Sequence, residues 1–126
     1  ANHGVMMAPR LVQDVESPGG HVISRTKPLI LSRVMSRESA SQVTDGMVFV
    51  VQHGSGFEAA VQGMEVAGKT GTAVSGASTA NAWFISFAPA RHPRVAVAVL
   101  NQYAGEGFAH AAPIARKVML AALARH

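Results

Sequence analysis

Between residues 64 and 100 three apolar runs follow one another, each with the two-residue period of a β-strand. The runs span residues 64–74, 82–88 and 94–100. Gly, Ser and Ala fill the connection at 75–80, and Pro89 and Pro93 bound the next. Parallel neighbours need a crossover of a dozen or more residues, so connections this short dictate an antiparallel meander. In the third run Val95, Val97 and Val99 face one way, while Ala96, Ala98 and Leu100 face the other. A strand apolar on both faces is expected to be central and covered on both sides.

Helical spacing flanks the meander. Ile114, Ala115, Val118, Ala122 and Leu123 form a stripe that predicts a closing helix over residues 109–125. An Ala-rich stripe of this kind is able to lie close against the Ala face of the third strand. Upstream, Ala40, Val43, Met47, Val50 and Val51 recur at helical spacing. Ser36 or Ser39 is placed to cap that helix, Ser39 with Gln42 fits a capping box, and Gly54 and Gly56 end it. Before it, Ser17-Pro18-Gly19-Gly20 separates 11–16 from 21–24. Pro presets φ and Gly accepts a positive one, so the pair predicts a type II turn in a short exposed hairpin. A connector containing Pro28 follows. Residues 1–4, Ala-Asn-His-Gly, read as the last turn of a helix with Asn2 or Gly4 at its cap.

Composition narrows the class. Of 126 residues, 48% are hydrophobic and 14% charged, which describes one core-forming unit and not a disordered chain. The net charge of +4 comes from Lys and Arg scattered singly. With no basic run and no aromatic interleaving, nucleic acid is not an expected partner. The six histidines (His3, His21, His53, His92, His110, His126) show no short metal-ligand spacing, so neither a metal nor a cofactor is expected. The absence of cysteine excludes a disulfide frame and a thiolate nucleophile. No stretch reaches the ~18 to 20 apolar residues needed to cross a bilayer. The start carries no Met, no basic n-region and no apolar h-region, so either the chain is cut from a longer one, which is the expected case, or a leader has been removed.

The chemistry is concentrated in three stretches. They are Gly54-Ser55-Gly56, then Val66-Ala67-Gly68-Lys69-Thr70-Gly71-Thr72-Ala73, then Ala82-Trp83-Phe84-Ile85-Ser86-Phe87-Ala88-Pro89. Lys-Thr-Gly belongs, with Ser-x-x-Lys and a Ser-x-Asn-type element, to the signature of penicillin-binding proteins and related β-lactamases. Here it is extended on both sides, lies on an expected strand, and stands one loop before an aromatic strand resembling the family's Ala-Trp-Phe-x-x-Phe-Ala-Pro. The opening Ala-Asn-x-Gly and the run from Pro9 to Val12 also resemble the family's join between its helical part and its sheet. Over nearly its whole length the chain therefore resembles a penicillin-binding protein transpeptidase domain.

That resemblance implies an α+β fold, an antiparallel sheet flanked by helices, shared with serine β-lactamases. Residues 1–126 would be the C-terminal portion of a single transpeptidase domain, with the nucleophile-bearing N-terminal portion absent. Two of five strands would come from upstream, leaving the third run with an open edge. The implied function is peptidoglycan cross-linking through a serine acyl-enzyme, on the extracytoplasmic face of a bacterial membrane. Partners would be a stem peptide ending in D-Ala-D-Ala, β-lactams and the rest of the domain. Lys69, Thr70, Gly71 and Thr72 would bind substrate, with Lys69 and Thr72 also catalytic. Strand alternation puts Thr70 and Thr72 on one face, where both hydroxyls can meet the substrate carboxylate. Lys69 adds a compact positive charge able to reach round the strand edge. Gly71 clears space for the substrate backbone. The Thr72 N–H would be half of an oxyanion hole, a donor worth roughly 3 to 4 kcal/mol.

Ser24-Arg25-Thr26-Lys27 fits Ser-x-x-Lys as a pattern. The family places that motif at the start of a helix, so that Lys lies one turn from Ser. Pro28 biases Lys27 away from helical backbone, and Ser24 ends a hairpin strand, so the match is read as chance. No Ser-x-Asn occurs, and the piece alone is expected to be inactive. Two other readings stay open: a β-lactamase or β-lactam sensor, and a non-catalytic binding domain of the same fold.

Overall fold

The computed structural model describes residues 1–74 and 80–124. In chain order it contains β1 (Val5–Met7), β2 (Asp14–Glu16), β3 (Val22–Arg25), β4 (Ile30–Arg33), α1 (Arg37–His53), a 3-10 turn (Phe57–Ala59), β5 (Ala67–Ala73), β6 (Asn81–Ala88), β7 (Val95–Asn101), α2 (Gly107–His110) and α3 (Ala112–Leu123). Most of the connection expected at 75–80, and Arg125 of the expected closing helix, lie outside the described residues.

The meander forms with β5 and β7 at its edges, in the order β5-β6-β7. Its register is unbroken, from Ala67 opposite Phe87 to Ala73 opposite Asn81, and from Ala82 opposite Asn101 to Ala88 opposite Val95. Phe84 and Ala82 point to one face, where they join Val51, Val66, Ala111, Ala112, Ala115 and Met119 in a fully buried cluster. A buried aromatic side chain of this kind contributes about 1.5 to 3 kcal/mol.

Three expectations about this layer are corrected. The Val face of β7 (Val95, Val97, Val99) packs on the core, and its Ala face is exposed. The branched side chains fill the space beneath the helix, which the alanines would leave partly empty. As an edge strand among the described residues, β7 is covered on one side, not two. The closing helix is also broken at Ala111, with Pro113 in the first turn of α3. Its buried stripe is Ala112, Ala115 and Met119, while Ile114 and Val118 are exposed. Pro113 lacks an N–H and is tolerated only where a helix starts, so the pattern is reset there.

Helix α1 starts where a cap is available. Ser36 sits in extended backbone and its hydroxyl accepts from the Ser39 N–H at 3.0 Å. Ser39 therefore lies inside the helix and forms no capping box with Gln42. At the other end the Gly54 and Gly56 N–H groups both donate to the Val50 carbonyl, at 3.0 and 2.9 Å. Arg91, in the turn after β6, donates to Asp45 of α1 and to Glu65. These contacts, Asp45 first, hold the guanidinium above its ordinary pKa range.

Residues 5–34 build two separate two-stranded ribbons, β1 with β4 and β2 with β3. The hairpin at 17–20 forms, closed by the Gly20 N–H on the Ser17 carbonyl at 2.9 Å. It is not type II: the positive φ, 79°, falls on Gly20 and not on Gly19, next to a register shift at Val15–Glu16. This is the three-residue solution, in which a left-handed glycine completes the turn as a bulge. Residues 1–4 also form a turn and not a helix end. His3 and Gly4 both have positive φ and Val5 donates to the Asn2 carbonyl, whereas a helix cap uses a single left-handed residue. The pairing of β1 with β4 was not expected, because the connector around Pro28 hides Ile30–Arg33 as a strand.

Candidate active site

The Lys-Thr-Gly segment lies on β5, at the outer edge of the sheet. The first half of that strand is buried and the second half emerges. Ala67 packs with Val48 and Phe87, and Gly68 sits where a Cβ would meet the Phe84 ring at 2.5 Å and Val51 at 3.1 Å. Only glycine lets α1 and Phe84 close over the strand here. From Lys69 onward the strand leaves α1: Lys69 and Thr72 are exposed, and Thr70 and Gly71 are half-buried.

Register places Thr70 opposite Phe84 and Thr72 opposite Ala82, so both threonines belong to the face that packs on the helices. Lys69 and Gly71 alternate to the other face. The Lys69 side chain bends back round the strand, with Nζ 2.9 Å from the Thr70 carbonyl oxygen and 3.5 Å from the Thr70 hydroxyl. It forms no salt bridge among the described residues. An ammonium and a hydroxyl thus meet at an open edge with no carboxylate to neutralise them, an arrangement that suits an anion.

Two residues that sequence reasoning left without a role belong to this site. The Ser55 hydroxyl lies 2.9 Å from the Thr70 hydroxyl. Gly107 opens α2 directly behind the strand. A Cβ there would run into the Trp83 carbonyl oxygen and lie 2.7 Å from the Gly71 carbonyl oxygen. Gly71 is crowded in turn, its missing Cβ lying 3.1 Å from that of Trp83. Backbone thus stacks on backbone behind the exposed edge, and the glycine at 107 makes that approach possible. The available signal was Gly-Ser-Gly directly after a helix; nothing in the sequence marks Gly107 as close to Gly71.

Ser24 lies on β3, opposite Val15, and Lys27 lies beyond the end of that strand. The Ser-x-x-Lys pattern therefore has no helix. Among the described residues no group of three or more His, Cys, Asp or Glu gathers as a metal site, and no helix is long and apolar enough to cross a membrane.

A family model described as the penicillin binding protein transpeptidase domain matches residues 1–120. The chain belongs to that family. This transpeptidase-family chain is 42% identical over 98% of its length to the peptidoglycan D,D-transpeptidase PbpA of Mycolicibacterium smegmatis, and spans 27% of that relative. Its fold superimposes on penicillin-binding protein A from M. tuberculosis, solved as an imipenem acyl-enzyme complex, with a TM-score of 0.86 and 41% identity. That match covers 97% of this chain and 28% of the other. The D,D-transpeptidase domain of a peptidoglycan glycosyltransferase from Eggerthella lenta gives the same TM-score at 37% identity, covering 99% and 30%.

Proposed function

We propose that this chain is the C-terminal portion of a transpeptidase domain and supplies its Lys-Thr-Gly wall. The parent would cross-link peptidoglycan through a serine acyl-enzyme whose nucleophile lies outside this sequence. The observation that carries the reading is the convergence of the Lys69 ammonium and the Thr70 hydroxyl at the open edge of β5. The terminal carboxylate of a D-Ala-D-Ala stem peptide, or the carboxylate of a β-lactam, would dock there against Lys69, Thr70 and Thr72. Lys69 would neutralise it and influence nearby hydroxyl proton transfers, and Gly71 would leave room for the peptide backbone. The Thr72 N–H would donate to the developing oxyanion, in a site on the extracytoplasmic side of the membrane.

Lys69→Ala in the complete domain tests this. The second-order rate of penicillin acylation is expected to fall about 100-fold or more, the scale of losing a preorganised charged donor. The melting temperature should hardly move, because an exposed edge lysine contributes little to folding. Unchanged acylation would reduce Lys69 to an ordinary edge-strand charge.

A further inference from the structure

Ser55 and Thr70 are 15 residues apart in sequence, and their hydroxyl oxygens are 2.9 Å apart in space. Ser55 is held on both sides. The N–H groups of Gly54 and Gly56 both close on the Val50 carbonyl, and a Cβ on either glycine would lie 3.1 Å from that oxygen. A side chain at either position would press on that carbonyl, so glycine at both favours this tight fold-back, which delivers the serine hydroxyl onto β5. Thr70 is also approached by the Lys69 ammonium at 3.5 Å. An ammonium carries donors only, so towards Thr70 it can only donate.

We propose that Ser55 is a positioning residue for carboxylate recognition: it donates its hydroxyl proton to Thr70, so that the Thr70 proton points at the bound anion. This rests on the reading above, in which Thr70 meets the substrate carboxylate. A carboxylate accepts and never donates, so a hydroxyl that holds it must give up its single proton to it. Thr70 then has only lone pairs to turn towards the protein, and both neighbours can donate into them. In the reverse arrangement Thr70 donates to Ser55 and turns a lone pair towards the anion, which is repulsive. The chain from Ser55 through Thr70 to the carboxylate has all its dipoles aligned, and the ammonium beside its central oxygen polarises it further. Ser55 takes no part in bond making; it acts through Thr70.

The test is a double-mutant cycle in the complete domain, read as the second-order rate of acylation by benzylpenicillin. Ser55→Ala is expected to lower the rate about 3- to 10-fold, the range of one net hydrogen bond. Ser55→Thr, which keeps the hydroxyl, should restore it. In a Thr70→Val background Ser55→Ala should have no further effect, and melting temperatures should agree throughout. An equal loss with and without Thr70, or no loss on Ser55→Ala where Thr70→Val is impaired, would overturn the role of Ser55 alone. So would a fall in melting temperature that Ser55→Thr does not restore, which would assign Ser55 to the fold. Full acylation by Thr70→Val would overturn the clamp reading itself, and the role of Ser55 with it.

Discussion

The ribbons of residues 5–34 and the sheet layer of residues 67–123 both carry apolar side chains, yet only the second has a core. No residue from 1 to 39 is buried. Leu11 is 105% exposed, Ile23 69% and Ile30 63%, whereas Ala82, Phe84, Ala112, Ala115 and Met119 are all at 0%. The difference is one of layers. A sheet stabilises itself when a helix face closes over it, as α3 does over β6 and β7. A two-stranded ribbon has no second layer and is marginal in water. Most apolar side chains of the ribbons are therefore left without a buried partner among the described residues. Under the proposal that the chain is one portion of a larger domain, that partner is the rest of the domain.

The strongest way to break this contrast is to study the 126-residue piece alone. The outer edge of β7 is unpaired among the described residues, and its Ala face is exposed. An open, apolar edge strand is a template for pairing with another chain. Each buried backbone group left unpaired costs about 1 to 3 kcal/mol, against a typical domain stability of ~5 to 15 kcal/mol. The isolated piece is expected to self-associate or unfold in sedimentation velocity. A folded monomer with that edge free would show that the sheet layer is sufficient by itself.

The contrast sharpens with truncations on either side of it. In the complete domain Phe84→Ala should cost about 3 to 5 kcal/mol in urea unfolding, because the ring is buried and sits under α3. Leu11→Ala reports on the ribbons. If the rest of the domain covers them, its cost in the complete domain should exceed ~1 kcal/mol, although Leu11 is fully exposed among the described residues. A cost near zero would mean that the ribbons stay solvent-exposed in the parent and that their apolar residues serve something other than stability.

Reading the sequence forwards succeeded where pattern and chemistry were local. The meander, its order and the lysine on its edge strand follow from alternation and short connections, and the end of α1 from Gly54 and Gly56. The reading failed where tertiary context chose between locally equal options. Valine and alanine alternate on β7, and only the space beneath α3 decides which face turns inward. Ile114 and Met119 are both plausible core residues, and the restart at Pro113 selects Met119. Ile30–Arg33 pairs with Val5–Met7 across a long separation, with nothing buried to mark it. At the site, Lys69 to Thr72 stand out as a motif. Gly54-Ser55-Gly56 stands out as well but gives Ser55 no role, and Gly107 does not stand out, because their places at the site arise only when a helix end and a helix start are brought against β5.

The smallest expected effect comes from comparing two glycines, one in each region. Gly20 has a φ of 79° and no heavy atom within 4 Å of the place a methyl would occupy, so Gly20→Ala meets backbone strain and nothing else. Left-handed backbone costs a non-glycine residue roughly 1 to 2 kcal/mol, and a ribbon without a core can relax part of that away. Gly107 has no positive φ but is walled in by the Trp83 and Gly71 backbone. A methyl there has to lift α2 from the sheet or push the strand outward, and overpacking of this kind costs about 1 to 3 kcal/mol. The two substitutions can therefore be similar in stability and are distinguished by activity. Gly107→Ala moves Gly71, and with it the hydroxyls and N–H proposed to hold the substrate, so penicillin acylation should fall while Gly20→Ala leaves it unchanged. Measuring both rates in the complete domain decides whether the packing behind β5 fixes the geometry of its edge. Equal, undiminished rates would mean that the strand holds its shape without the helix behind it.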